Sequence, residues 1–469
     1  MWRETSLTGT MARKNSSFRV GRVQGYLRGQ VWYLCYHEHG QRHRPRVGPD
    51  REAARQLAAQ INAQLEVGAP AALSFEPIAL PELRERWLQH HEQVLRSSVQ
   101  TISRYRTATD HLLRFVAAVR PVRYASHFGN HNAEEFVRHL RIIQVAANGH
   151  KNTPKRPLMD KGIRYILETC RALFNYASKR RNLPPYAENP FATLEIDRIP
   201  VEQARPITLF TPEQERGFLE ACDDWQFTVF LTLMLTGLRP GELTHLLLPD
   251  DLDLEGAVLH VRNKAKLGWR VKTRNEREIP LLPVLVDVLR RQVGQRRSGP
   301  VFRRRKFARG CEPPLTGLSA AQLESELADR TTARETSIER SLSRREHLQE
   351  ARVLWRDLGA IKTERIRVEF MRLTSKIRLT ATTAPKLLRH LFATGLQEAN
   401  VDPLVRNELM GHSPGGNRGN GTGLGMTATY THTRPETRRK QLESALLPRA
   451  AVQVALAWLA DFRNGNGLR

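Results

Sequence analysis

The sequence predicts a multidomain protein of mainly α-helices with small β-sheets, the α+β class. Its 469 residues exceed what one ordinary hydrophobic core organises. Apolar residues recur at helical spacing across residues 80–183 and again in much of the carboxyl-terminal half. Short runs of β-branched and aromatic residues, bounded by turn-forming residues, lie within 18–48 and 252–283. Together these patterns predict several helical lobes with small sheets between them.

The first predicted domain, residues 1–70, is a small β-sheet module. Strands are expected in 18–48, with turns at "RGQ" and "EHGQ", and a supporting helix is expected in 50–68. Basic residues alternate with Trp32, Tyr33 and Tyr36, a pattern that suits binding in a nucleic-acid groove. A solvated hairpin on a capping module explains the same pattern equally well.

The remaining chain divides at segments rich in proline. Residues 76–185 predict a domain of four or five helices with many basic residues, and the prolines of 185–206 predict a hinge. Residues 205–447 predict a second lobe in which Thr211 caps a helix. Within it, 318–376 predicts a charged helical insertion, a long helix or a helical hairpin with one narrow apolar stripe. This insertion is either solvated or an arm of the coiled-coil kind that bridges partners. Residues 448–469 form an amphipathic tail.

The formal net charge of +26 implies a polyanionic partner, either nucleic acid or an anionic membrane. The longest apolar run, near 228–238, is far shorter than the roughly 20 residues of a membrane span. Nucleic acid is therefore the expected partner. The chain start lacks the apolar segment of a signal peptide, so a cytoplasmic protein is expected. Its four cysteines are scattered, which argues against a zinc site or a disulfide framework.

One arginine stands out in the apolar run "LTLMLTGLRPGELTHLLL" at 231–248. Arg239 brings a permanent charge with five N–H donors, and such a group needs a partner. Glu242 lies one helical turn on and can hold the guanidinium. Taken alone, this pair is more often a surface ion pair than a ligand site.

Five pieces of the sequence, taken in order, resemble the tyrosine recombinase (phage integrase) family. They are "TGLRPGEL" with Arg239, "VKTRNEREIPL" with Lys272, "LLRHLFAT" with Arg389, "LMGHS" with His412 and "ATYTH" with Tyr430. The resemblance implies an integrase-like catalytic domain at 205–447, a helical core-DNA-binding domain before it and an arm-type DNA-binding module at the amino terminus. It also implies double-stranded DNA as the partner and a carboxyl-terminal tail that packs on a neighbouring protomer.

The resemblance also implies a role for each residue. Tyr430 is the expected nucleophile, and Arg239 and Arg389 are the expected two-pronged clamps on phosphate oxygens, a task for which arginine is well shaped. Lys272 matches the general acid, and His412 matches a hydrogen-bond donor to the phosphate. A phenol, cations and an acid suffice for transesterification, so no metal or other cofactor is expected.

Two features depart from the family pattern. Lys386 stands where the family usually has a histidine, and a lysine keeps a donor at the phosphate but cannot act as a neutral imidazole base. The glycine-rich segment "SPGGNRGNGTGLG" lengthens the gap between His412 and Tyr430. It is either a tolerated insertion or a device that lets Tyr430 act in cis or in trans.

The predicted function is site-specific recombination that integrates or excises a mobile element, by a homotetramer on two DNA duplexes with possible DNA-bending accessory proteins. Two alternatives stay open. One is a catalytically silent DNA-binding protein with the same fold, which Lys386 and the long loop before Tyr430 would suit. The other is a relaxing enzyme of the type IB topoisomerase kind, which uses the same tyrosine chemistry.

Overall fold

A computed structural model describes residues 16–38, 40–146, 149–150, 152–185, 187–201, 207–308, 310–412 and 433–463. The chain forms two compact units, 1–204 and 205–469. Both are mainly helical with small antiparallel sheets, as the sequence predicts. No single described helix is long and apolar enough to cross a membrane, and one bent pair near the carboxyl terminus meets the length and composition only when its two helices are combined.

The first unit begins with the predicted β-sheet module. Its antiparallel strands and one helix are β1 (Ser17–Val20), β2 (Val23–Arg28), β3 (Val31–Glu38), β4 (Gln41–His43), β5 (Arg46–Gly48) and α1 (Arg51–Glu66). The Asp50 side chain caps α1 by accepting from the backbone N–H groups of Glu52 and Ala53. A small core that includes Leu34, Tyr36 and Ile61 joins the helix to the sheet.

The helical part of this unit has four α-helices and a short hairpin. They are α2 (Leu80–Gln89), α3 (Val99–Ala118), α4 (Asn130–Ile142), β6 (Gln144–Ala146), β7 (Lys155–Pro157) and α5 (Asp160–Lys179). The helical pattern predicted through "RIIQVAA" ends at Ile142, and residues 144–146 are a strand instead. Ile143 and Val145 are β-branched, and such side chains favour extended backbone.

The first half of the second unit contains both short sheets. Its elements are α6 (Pro212–Glu220), α7 (Asp224–Thr236), α8 (Pro240–Leu243), β8 (Leu247–Leu248), β9 (Leu252–Asp253), β10 (Val258–Val261), β11 (Arg277–Pro280), α9 (Pro283–Val293) and β12 (Gly299–Pro300). Strands β9, β10 and β11 form an antiparallel sheet, and β8 pairs with β12. Thr211 caps α6 as predicted, its hydroxyl accepting from the Gln214 N–H.

The second half of this unit is helical. Its elements are α10 (Ala320–Ile338), α11 (Arg344–Asp357), α12 (Thr363–Lys376), α13 (Lys386–Glu398), α14 (Pro403–Met410), α15 (Pro435–Leu446) and α16 (Ala450–Arg463). Helix α7 is apolar on all sides and buried in the main core, where it packs against α9, α13 and α16.

One expectation about this half needs correction. The apolar residues of 318–376 do not form one stripe: α10 and α11 pack on each other as a helical hairpin, whereas α12 places Ile366, Phe370 and Leu373 in the main core. Packing of the carboxyl-terminal tail on a neighbouring protomer stays a prediction. Within its own chain the tail helix α16 contacts α6, α7 and α9. Glu215 of α6 fixes it by accepting from the Arg449 side chain at 2.6 Å and from the Ala451 N–H at 3.1 Å.

Candidate active site

Arg239 lies at the junction between the buried helix α7 and the short helix α8. Helix α7 ends at Gly237, whose φ of +61° belongs to the left-handed region that favours glycine. A Cβ at this position would stand 2.3 Å from the Phe392 ring of α13, so glycine is also needed for space. The close approach brings Arg239 to the amino-terminal end of α13, where Arg389 lies.

Glu242 holds Arg239 in place. Its Oε1 accepts from Arg239 Nη1 at 2.7 Å and its Oε2 accepts from the Arg239 backbone N–H at 2.9 Å, so one carboxylate holds both the side chain and the backbone of the residue that precedes α8. The carboxylate is almost fully buried, with 2 % of its side chain exposed, whereas Arg239 keeps 23 % exposed. Arg239 is therefore anchored from inside while part of its guanidinium group stays open to a ligand.

A second arginine, Arg277 of β11, grips the same carboxylate. Its Nη2 donates to Glu242 Oε2 at 2.7 Å and its Nη1 to Oε1 at 3.3 Å. Burial alone would raise the pKa of Glu242, but the hydrogen bonds and charges of Arg277 and Arg239 outweigh it and hold the pKa below its usual range. Glu242 is thus a charged carboxylate shared by two arginines.

Arg389 comes to the same place from α13. Its Nη1 donates to the Gly237 carbonyl at 2.5 Å and its Nη2 donates to the Met410 carbonyl. Only 6 % of the residue is exposed. A buried guanidinium held by two carbonyls has a fixed orientation but no neutralising anion of its own.

The carboxyl-terminal end of α14 ties these parts together. Three successive carbonyls accept from three different segments: Leu409 from Arg277 Nε at 2.8 Å, Met410 from Arg389, and Gly411 from Thr273 Oγ1 at 3.1 Å. Carbonyls at a helix end have no partner within the helix and carry partial negative charge, so they suit cationic donors. The segment "LMGH" therefore fixes both arginines and places His412 beside them.

The cluster carries more positive than negative charge. Burial, followed by the charges of Arg239 and Arg277, lowers the pKa of Arg389 to about 9, although Glu242 acts in the opposite direction. Burial and the charges of Arg389, Arg239 and Arg277 lower the pKa of His412. Three guanidinium groups lie near one carboxylate, which bonds to two of them, so an oxyanion such as a phosphate would relieve their mutual repulsion.

The two predicted lysines occupy different positions around the cluster. Lys272 is exposed on a turn between β10 and β11, as predicted, and its neighbour Thr273 bonds to Gly411. Lys386 is the exposed first residue of α13. Burial of His390 lowers the pKa of that histidine, and the charge of Lys386 lowers it further. Among the described residues, none supplies a hydrogen bond to the buried Nε2 atom of His390.

The structure therefore brings together Arg239, Arg389 and His412, with the Lys272 turn attached to the same helix end. Tyr430 lies outside the described residues. Within the described ranges, no group of three or more His, Cys, Asp and Glu side chains could hold a metal ion.

Sequence reasoning missed Arg277. It lies 35 residues beyond Glu242, and its role depends on β11 reaching the end of α14. The available signal was weak: Arg277 opens the strand "REIP", where a charge next to buried Ile279 also fits an ordinary solvated strand end.

Comparison with known proteins gives a family for the second unit. Residues 208–436 match the phage integrase family. No curated protein sequence matches the chain. The Tn1549 transposon integrase, solved with circular intermediate DNA, is 19 % identical with a TM-score of 0.48, covering 78 % of this chain and 99 % of that one. The lambda integrase tetramer bound to a Holliday junction is 15 % identical with a TM-score of 0.45, covering 82 % and 96 %.

The family match spans every predicted site residue from Arg239 to Tyr430, together with Arg277. Residues 208–436 of this chain therefore form a domain of the phage integrase family.

Proposed function

We propose that this protein is a site-specific DNA recombinase that cuts and rejoins strands through a covalent 3′-phosphotyrosine intermediate, and that it integrates or excises a mobile element. The observation that carries the proposal is the cluster of three arginines around Glu242: Arg239 and Arg277 donate to its carboxylate, and Arg389 lies close enough to feel its charge and theirs. This excess of guanidinium charge suits a phosphate in a DNA backbone. The net charge of +26 supports a polyanionic substrate.

In the proposed reaction, the Tyr430 oxygen attacks a backbone phosphorus and the bond from phosphorus to the 5′ oxygen breaks. The phenolic proton leaves to water, and the Lys272 ammonium gives a proton to the departing 5′ oxygen. Arg239 and Arg389 stabilise the charge that develops on the non-bridging oxygens, and His412 donates a further hydrogen bond. Lys386 is a further donor to the phosphate. Attack by a free 5′ hydroxyl reverses these steps and rejoins the strand.

The assembly that performs this reaction is proposed to be a homotetramer on two duplexes. The β-sheet module presents Tyr26 stacked on Tyr33, with ring centroids 5.8 Å apart, beside the exposed Arg28 at the end of β2. Aromatic and cationic side chains on one small sheet suit DNA contact. We propose that this module binds arm-type sites, that residues 76–185 bind the core site and that DNA-bending proteins assist.

The proposal is tested by capturing the covalent intermediate. Full-length protein is incubated with duplexes that carry a randomised centre and a nick at successive positions, and strands that stay linked to protein after denaturation are sequenced. The wild type should enrich one sequence. Tyr430→Phe should link no DNA, and Arg239→Ala should link it at least about 100-fold more slowly, because it removes a donor to the phosphate.

Other outcomes separate the alternatives. Wild-type protein that binds DNA but links none would overturn the enzymatic proposal and leave a DNA-binding protein. Tyr430→Phe protein that links DNA equally well would overturn the role of Tyr430 as the nucleophile. Linkage without sequence preference, together with relaxation of any supercoiled plasmid, would favour the topoisomerase instead.

A further inference from the structure

The helix pair α10–α11 packs on the loop that connects β10 to β11, the loop that bears Lys272. The two helices and the loop share a small core with its own buried residues. Leu267 of the loop meets Leu323 and Leu327 of α10 and Leu354 of α11 within this core. This core joins the helix pair to the part of the loop that precedes Lys272.

Trp355 of α11 is the main point of contact. Its Nε1–H donates to the Leu267 carbonyl at 3.0 Å, and only 6 % of the residue is exposed. The edge of its ring meets His245, with centroids 4.6 Å apart. His245 in turn stacks on Trp269 of the loop at 4.9 Å. His245 follows α8, so the indole of Trp355 touches both the Lys272 loop and the segment that bears Arg239.

The backbone of the loop lies directly on α11 at Gly268. This residue has a φ of +71°, in the left-handed region, and a Cβ placed on it would stand 2.5 Å from the Cβ of Ala351. Any side chain here would push the loop away from the helix. The fit between loop and helix therefore depends on Gly268 as well as on Trp355.

Contacts in the rest of the loop fix the backbone on both sides of Lys272. The backbone of Trp269 pairs with Lys264, whose ammonium contacts the fully buried Asp251 at 2.7 Å. Val271 is buried in the main core, and its N–H donates to Asn263 Oδ1 at 2.9 Å. On the other side of Lys272, the Thr273 hydroxyl donates to the Gly411 carbonyl. Both neighbours of Lys272 are thus held, whereas its own side chain is exposed.

We propose that α10 and α11 position the turn that bears Lys272 for proton transfer, and that Trp355 is the positioning residue through its contacts with Leu267 and His245. The inference rests on the proposed function, in which Lys272 supplies the proton to the leaving 5′ oxygen. Trp355 touches no reacting atom. It fixes where the lysine backbone stands relative to Arg239, and a displacement of about 1 Å can lower a rate by about 100-fold.

The test compares two leaving groups. The duplex recovered from the covalent capture is made once with its ordinary 5′ oxygen at the cleaved bond and once with sulfur in that position. A thiol has a pKa of about 8.5, so a thiolate leaves without receiving a proton and the acid becomes dispensable. Rates of covalent linkage are measured for wild type, Trp355→Ala, Trp355→Phe and Lys272→Ala, with Arg239→Ala for comparison.

We expect Lys272→Ala to slow linkage of ordinary DNA by about 100-fold or more, and Trp355→Ala by about 10- to 100-fold. Both should return to within about threefold of wild type on the sulfur duplex, because neither variant affects the phosphate clamp. Arg239→Ala should stay slow on both duplexes. Trp355→Phe keeps a ring against His245 and loses only the hydrogen bond, so it should show a smaller loss with the same rescue.

Glu324→Gln is the matched control. Glu324 of α10 pairs with Lys266 of the same loop at 2.9 Å, but the lysine side chain is 78 % exposed, so the pair should contribute little and both rates should be unchanged.

Trp355 variants that fold and link ordinary DNA at the wild-type rate would overturn the positioning role, as would equal slowing on both duplexes. If wild type links neither duplex, the proposed function itself fails. Thermal melts show which variants fold. If Trp355→Ala does not fold, the rates of Trp355→Phe decide whether Trp355 has the positioning role.

Discussion

Glu242 holds two arginines at once and keeps them beside a third. Its two oxygens accept from Arg239 and Arg277, and it is the carboxylate whose charge opposes the repulsion felt by Arg389. Arg239, although it lies in an apolar run of the sequence, thus has an internal ion-pair partner and keeps part of its guanidinium group exposed. In the absence of a bound phosphate, this carboxylate is what makes a dense cationic cluster compatible with a folded core.

Glu242→Gln tests this role. The amide keeps the shape of the side chain but leaves the buried Arg277 and the partly exposed Arg239 without their counter-charge, so the free energy of unfolding should fall by about 3–5 kcal/mol in urea titrations. Glu278→Gln, on the same strand as Arg277 and 57 % exposed, should change it by less than about 0.5 kcal/mol. A loss under about 1 kcal/mol for Glu242→Gln would show that the carboxylate does not hold the cluster.

His245 makes stability depend on pH. Burial lowers its pKa from 6.5 to about 4, an effect larger than the opposing hydrogen bond to the Gly241 carbonyl. Both folded and unfolded chains carry it neutral above pH 6.5. As pH falls from 6.5 towards 4, the unfolded chain takes up the proton first, so the folded state loses stability across that window.

The expected loss from His245 alone is about 2 kcal/mol between pH 7 and pH 4.5. It is measured as the difference between wild type and His245→Phe in urea titrations at the two pH values, since all other groups titrate in both proteins. His245→Phe should be the less pH-sensitive protein. Equal pH dependence would mean that His245 titrates normally.

Among helices and strands, sequence patterns predicted contacts between residues close in the sequence well and contacts between distant residues poorly. Arg239 and Glu242 are one turn apart, so helical spacing alone predicts their pairing. Arg277 joins them only because β11 meets the end of α14, and no local pattern encodes that meeting. Likewise, apolar spacing across 318–376 predicts helices but not which core each one joins. Helix α12 entered the main core, and α10–α11 covered the Lys272 loop.

The loop contact with α11 can be tested at two glycines of similar conformation. Gly268 and Gly317 have φ values of +71° and +75°, but a Cβ at Gly268 would strike Ala351 whereas a Cβ at Gly317 meets nothing within 4 Å. Gly317→Ala should cost about 1 kcal/mol from backbone strain alone. Gly268→Ala should cost about 1–3 kcal/mol more, because the loop must move off the helix. Equal losses in urea titrations would contradict the close packing.

The whole molecule is strongly positively charged, and this charge should be the main source of its affinity for DNA. A net charge of +26 is spread over 469 residues, and the cationic cluster is a small part of it. Most of the affinity for DNA should therefore come from phosphate contacts that release counterions. The cluster would contribute little to that affinity and would determine instead where the strand is cut.

Binding should consequently weaken steeply with salt. We expect the affinity for a duplex of the captured sequence to fall by about 1,000-fold or more between 50 and 200 mM salt, as measured by fluorescence anisotropy with Tyr430→Phe protein to prevent cleavage. Arg239→Ala, introduced into the Tyr430→Phe protein, should change the slope of log affinity against log salt concentration by no more than about one unit, the contribution of one phosphate contact. A fall of less than about tenfold would contradict a phosphate-dominated interface.

The proposed phosphotyrosine intermediate is tested by identifying the residue that is linked to DNA. DNA-linked protein is digested with protease and nuclease, and the modified peptide is sequenced by mass spectrometry. We predict one phosphorylated residue, Tyr430, joined to the 3′ end of the cleaved strand. A link to any other residue, or to the 5′ end, would contradict the proposed mechanism.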